Sequence, residues 1–317
     1  MEFFHKVTNI QFMASRKIWY SVSAALVVAS LASLSSRGLN LGTDFRGGMS
    51  AQVRFAATVD TARVTSAMTA AGFAESTVTS FGSTRDILIR LPPQAGANNG
   101  TVAQQAATRD RILQAVKTVD PAAEILQTED VGPQVGDELQ SSAWQSLGAT
   151  MFLIFLYLLF RFHTWRLSLG AVVAAMHDPI IVAGFFSWTR LTFDLPTVSA
   201  LLAVIGYSLN DTVVVFDRIR ERFHAARRVP SQQVLDQSIN QTLSRTIITS
   251  GATFVVVLVL LLMGGPVLTG FSTALVVGIL VGTYSSIYIA SAIALDCGLK
   301  AEHLLPSAVK NPVDNLP

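Results

Sequence analysis

Residues 205–219 read IGYSLNDTVVVFDRI. The run is apolar enough to lie in a bilayer, yet it carries Asn210 and Asp211 near its middle and Asp217 with Arg218 at one end. A carboxylate at membrane depth costs about 2.5–3.5 kcal/mol on insertion scales, so it marks an ion or proton pathway and needs a partner. Asp211 stands about six residues, roughly 9 Å at 1.5 Å per residue, from the charged end of its run. Arg245, at the mouth of the next apolar run, has a side chain long enough to reach inward to that depth, so an Asp211–Arg245 pair is expected.

Composition places this run in a membrane protein. Half of the 317 residues are hydrophobic and 14% are charged, against about 25% in ordinary soluble domains, and the mean hydropathy is +0.46. A net charge of +2 gives no reason to expect nucleic acid as a partner. With about twenty apolar residues per crossing, the spans are expected near 18–36, 142–160, 168–189, 195–216, 246–263 and 270–295. The first is longer than the apolar core of a secretory signal and is read as a retained span.

Lysine and arginine in short loops set orientation. Lys6, Arg16 and Lys17 precede the first span, Arg161 and Arg166 flank the turn after the second, five arginines from Arg218 to Arg228 follow the fourth, and Lys300 and Lys310 follow the sixth. Both termini, 1–17 and the tail 296–317, are therefore expected in the cytoplasm with the basic loop 217–245. Residues 37–141 are expected on the far side. Cys297 reads as a small buried residue without a disulfide partner.

The far-side lobe reads as α+β. Met49 to Ala56 alternates like a strand, 61–71 has helical composition, 77–81 and 86–91 are short strands, 103–119 is a helix, and 123–129 is a last strand. The order βαββαβ is that of ferredoxin-like domains. No histidine occurs between His5 and His163 and the lobe's carboxylates are scattered, so no catalytic group is expected there; 94–100, rich in Gly, Asn and Ala, reads as a loop.

Polar residues recur inside the spans. Thr242, Arg245, Thr246, Thr249, Ser250 and Thr253 repeat every three or four residues, one polar helical face over about three turns. Tyr207, Asn210 and Asp211 form a comparable face on the fourth span. Protonating Asp211 would remove the Coulomb attraction holding Arg245, which makes the pair a candidate two-state element. Asp178, in the third span between His177 and the helix-kinking Pro179, is a second intramembrane carboxylate, read as packing or as a relay station and ranked below Asp211. Adjacent helical residues point about 100° apart, so His177 and Asp178 are not expected to bind a metal. The sixth span carries small residues at four-residue intervals, among them Gly278, Gly282 and Ser286, suited to close helix packing within the chain or against a partner. The segment 217–241 looks amphipathic and is expected to lie on the membrane surface, its arginines meeting anionic lipid.

Several stretches together resemble one family: Gly42-Thr43-Asp44-Phe45-Arg46-Gly47-Gly48 just beyond the first span, His177-Asp178 with Gly184, the block Ile205 to Thr212 running on to Phe216-Asp217-Arg218-Ile219-Arg220-Glu221, then Arg245-Thr246 with Thr249-Ser250, and Gly264-Gly265. In order and over nearly the whole chain they are similar to the SecD/SecF family of bacterial protein-export subunits, relatives of the resistance-nodulation-division transporters. Ala252 departs from the threonine frequent in that family. The resemblance implies six spans, inner-membrane location, and a SecD partner completing a twelve-span assembly. It also implies work with the SecYEG channel and YajC on a translocating preprotein, driven by protons without another cofactor. It implies a proton pathway through Asp211 and Arg245 and a junction motif at Asp44, Phe45, Arg46, Gly47 and Gly48; Asp178, Asn210 and Thr249 are further pathway candidates on their placement as polar residues in the spans. A small-molecule exporter of the same superfamily and an intramembrane aspartyl protease using Asp178 with Asp211 are the rival readings.

Overall fold

A computed structural model describes residues 8–81, 83–93, 102–162, 164–225 and 229–304. Lys6, the 94–100 loop, Arg227, Arg228 and Lys310 lie outside them. Helix α1 (Arg16–Arg37) ends at Gly38, which takes φ +61 and donates its N–H to Leu34 O at 3.0 Å. A two-residue strand β1 (Asn40–Leu41) and a single turn α2 (Thr43–Arg46) then lead into the lobe.

The lobe consists of β2 (Gly48–Arg54), α3 (Thr61–Ala70), β3 (Thr77–Phe81), β4 (Ser83–Leu91), α4 (Val102–Lys117) and β5 (Glu124–Val131). Its strands pair antiparallel in the order β3-β4-β2-β5. Val53, Ile87 and Ile89 from the sheet, Phe55 just past β2, and Val64, Met68, Ile112 and Val116 from the two helices bury one another in a core of their own. Burying an aliphatic or aromatic side chain is worth about 1.5–3 kcal/mol. Alternation along β2 and β4 therefore fixes which sheet face the helices cover, and a one-residue slip would turn the whole apolar set outward.

Among the described residues six helices are long and apolar enough to span a membrane: α1, α5 (Pro133–Phe162), α6 (Trp165–Thr189), α7 (Leu195–Ala225), α8 (Ser231–Met263) and α9 (Pro266–Tyr284) with its continuation. The molecule is a multi-pass membrane protein. Between α6 and α7, β6 (Thr192–Phe193) pairs in parallel with β1. The last span is continuous but not uniform: α9 passes into a π-helical turn, Ser285–Ala290, and then α10 (Ser291–Asp296). Helices α6 and α7 are the most buried; α1, α5 and α8 present residues such as Leu31, Phe160, Val256 and Met263 outward, as lipid-facing helices do.

Three expectations need correction. The segment 217–241 is not a separate surface helix with a free apolar face. Helix α7 runs on to Ala225, α8 already begins at Ser231, and Val234, Leu235 and Ile239 pack with Phe216, Ile219, Phe223, Phe12 and Met13. The amphipathic pattern buries its apolar side in the protein, and some of its charged residues have protein partners: Asp217 Oδ1 accepts from Arg161 Nη2 at 2.6 Å, Arg218 Nη1 donates to Glu221 Oε2 at 2.6 Å, and Arg222 donates to Gln237. The second span starts nine residues before position 142, because its first turns are polar helix beside the lobe. Cys297 is half-buried just beyond α10.

Candidate intramembrane site

Two carboxylates are enclosed among α6, α7, α8 and α9. Asp211 is 4% exposed, and Ser250 Oγ of α8 donates to its Oδ2 at 3.2 Å. Thr283 Oγ1 of α9 in turn reaches Ser250 Oγ at 3.0 Å and the Ile279 carbonyl at 2.7 Å, two acceptors for one hydroxyl proton.

Arg245 does not close the expected pair. It makes no ion pair with Asp211, acts on it only from a distance, and lies exposed with Asn210 and Thr249 on the outward side of α7 and α8. Helix geometry gives the reason. Ser250 is five residues beyond Arg245, which at about 100° per residue puts the two roughly 140° apart around α8. The Thr/Ser/Arg stripe therefore splits: Thr242, Thr246 and Ser250 turn inward and are buried, while Arg245 and Thr249 turn outward. Thr249 Oγ1 bonds back to the carbonyls of Arg245 and Thr246 at 3.0 and 3.1 Å, and the Tyr207 hydroxyl is enclosed without a partner among the described residues.

Asp178 is more enclosed than Asp211, at 0% exposure. His177 Nδ1 lies 2.8 Å from its Oδ1, and Ser208 of α7 and Ser285 of the π turn donate to its Oδ2, the latter at 3.0 Å. The other imidazole nitrogen, Nε2, meets Ser23 Oγ of α1 at 2.9 Å and Tyr284 OH at 3.0 Å, and these two hydroxyls touch each other. Divergent Cβ directions did not keep His177 and Asp178 apart, because the imidazole arm is long enough to fold back. Among the described residues no cluster of three His, Cys, Asp or Glu side chains forms a metal site.

Small residues let these helices meet. A Cβ on Gly278 would stand 2.2 Å from Val204 Cγ2, and one on Gly282 would stand 2.9 Å from Ser208 Cβ and 3.4 Å from Asp178 Oδ2. The stripe on the last span thus packs against the chain's own α7, and Ser286 is fully buried. The junction motif serves the rim on the lobe side: Asp44 Oδ2 accepts the Leu195 N–H at 3.0 Å, Phe45 is buried, and Gly47 and Gly48 take φ +70 and +106.

Sequence reading missed Ser23, Ser208, Thr283, Tyr284 and Ser285. Hydroxyl residues are common in spans, and only their convergence on a carboxylate sets these apart.

Six spans enclosing hydroxyl-bonded carboxylates, with an α+β lobe between the first two, define a multi-pass membrane transport component. The family model for the SecD/SecF protein export membrane protein C-terminal region matches residues 111–300, and the SecD/SecF GG motif matches 32–59. Protein translocase subunit SecF of Vibrio alginolyticus is 44% identical over 95% of this chain and 94% of its own length. That of Haemophilus influenzae is 42% identical over 97% and 92%. Crystal structures of SecDF superpose at 35% identity: the translocon-associated membrane protein of Thermus thermophilus with a TM-score of 0.81 over 92% of this chain, and a super-membrane-facing form with 0.68 over 94%. The chain spans 39% of the length of either. It belongs to the SecD/SecF family of protein-export membrane proteins, a family of transport components and not of enzymes.

Proposed function

We propose that this chain is the SecF-type half of a proton-driven export assembly, completed by SecD and acting with the SecYEG channel and YajC on translocating preproteins. The carrying observation is Asp211, buried in the bilayer with one hydroxyl donor, beside an outward polar face of Asn210, Arg245 and Thr249. Polar side chains are not left against lipid, so SecD covers that face and Arg245 closes on Asp211 in part of the cycle. Asp178 is the further station of the same pathway. Protons are the coupling ion and no other cofactor is needed. An elementary charge crossing 100 mV is worth about 2.3 kcal/mol, roughly fifty-fold in an equilibrium, which is enough to bias a conformational cycle without nucleotide. We read the lobe as ferredoxin-like on its βαββαβ order and strand order. The location is the inner membrane with both termini cytoplasmic and 37–141 periplasmic, following the lysine and arginine distribution.

The test uses inverted membrane vesicles with the partner subunit present. Asp211→Asn is expected to insert normally and to lose the gradient-dependent phase of preprotein translocation, and Arg245→Met to behave alike. Unaltered gradient-dependent translocation by Asp211→Asn would refute the reading.

A further inference from the structure

We propose that His177 and Asp178 form a second proton-binding site, coupled to Asp211 through the three consecutive residues Thr283, Tyr284 and Ser285 at the α-to-π junction of the last span. This deepens the reading above and rests on it.

The charge argument comes first. Asp178 is 0% exposed and, among the described residues, has no lysine or arginine partner; there His177 is the one cation-forming group against it. A bare charge in such a place is strongly unfavourable. The pair is neutral only when it holds one proton, on Asp178 or as imidazolium facing carboxylate. Of the other groups at the pair, Ser23 of α1, Ser208 of α7 and Ser285 carry no charge, and Tyr284 is the remaining titratable side chain.

The hydrogen bonds show how such a proton is held. Nδ1 is committed to Asp178, so Nε2 is the nitrogen that changes. With a lone pair it accepts from one of the two hydroxyls beside it; with a proton it donates to one of them. Ser23 and Tyr284, in contact with each other, can rotate to suit either state. Such an arrangement tolerates both protonation states without moving a backbone.

Coupling follows from adjacency on one helix. Thr283 touches Ser250, the donor to Asp211; Tyr284 touches His177; Ser285 touches Asp178. The π-helical turn begins at Ser285, and single π turns inside α-helices are frequent at functional sites. A change of charge at either carboxylate therefore acts on the same turn, with the Thr283 hydroxyl choosing between Ile279 O and Ser250 Oγ.

The experiment is pH-difference infrared spectroscopy of the chain reconstituted with its partner subunit in liposomes. The Asp211 carboxyl band is identified by its loss in Asp211→Asn. His177→Gln is expected to remove an imidazole band and to move the midpoint of the Asp211 band by about one pH unit, tenfold in proton affinity. Thr283→Val, which keeps the side-chain shape, is expected to retain the imidazole and both carboxyl bands and to uncouple their midpoints; Thr283→Ser restores the coupling. An Asp211 band that titrates identically in the native chain, His177→Gln and Thr283→Val overturns the coupling. Absence of any titrating imidazole or carboxyl band that His177→Gln removes overturns the second site. Gradient-dependent export that survives Asp211→Asn is the separate result that removes the underlying reading.

Discussion

Ser250 is the side chain through which Asp211 is held, and its position shows what a residue pattern can and cannot disclose. An acid in an apolar run stands out by its cost, so Asp211 and Asp178 were legible. Direction was not: a polar stripe repeating every three or four residues spans nearly half a helix circumference, and whether its Arg245 edge or its Ser250 edge turns inward depends on the neighbouring helices. Reach made Arg245 the natural partner; the roughly 140° between Arg245 and Ser250 gave the place to the serine. Ser250→Ala is expected to leave the buried carboxylate without its donor, a loss of about 1–3 kcal/mol. Thermal unfolding in detergent should show the loss, and Ser250→Thr should recover most of it. Equal melting of the native chain and Ser250→Ala would mean the bond contributes nothing.

At the scale of elements, the small residues of the last span turned out to be the seam of the molecule's own bundle. Gly278 is decisive because its neighbour, Val204, is β-branched and held by its helix to essentially one rotamer, so it cannot swing aside. Gly278→Val should therefore destabilise the bundle by about 1–3 kcal/mol, the usual cost of overpacking. Gly148→Ala, inside α5 where a Cβ meets nothing within 4 Å, should instead stabilise by about 0.5–1 kcal/mol, the gain of alanine over glycine in a helix interior. Melting temperatures of the two variants in detergent check the contrast, and equal effects would contradict it. Spans and lobe strands were legible because their period and length are set by the bilayer and by the sheet. The π turn, the β1–β6 pairing and the fate of 217–241 were not. An apolar helix face reads alike whether it meets lipid or protein, and Phe12 and Met13, which help cover this one, lie more than two hundred positions away in sequence.

The whole molecule joins lobe to spans across a cleft of about 440 Å³ lined by Gln52, Thr79, Arg90 and Glu129 from the lobe and by Asp44, Thr192 and Asp194 from the rim. Arg90 of β4 crosses it, donating from Nη2 to Thr192 Oγ1 at 2.8 Å; burial pulls its guanidinium below the ordinary value, with Asp194 and Asp44 opposing. Asp194 also caps α7, accepting the N–H of Thr197 at 3.0 Å and its hydroxyl at 2.5 Å. The lobe thus bears on the start of the helix that carries Asp211. Burial pushes the Asp194 carboxyl above its ordinary value, with Asp44 adding in the same direction and the Thr197 bonds opposing. The folded protein then binds this proton more tightly than the unfolded chain does. Its contribution to stability is complete below the ordinary carboxylate value and declines as pH rises from there to the raised one. Unfolding profiles across that window should slope downward with pH in the native chain and flatten in Asp194→Asn, which keeps an oxygen for the cap. Arg90→Ala should broaden the lobe-to-rim distance distribution between spin labels on the two sides of the cleft. A native chain whose stability does not change through the window, or a lobe equally fixed without Arg90, would show that the rim's charges do not govern the docking.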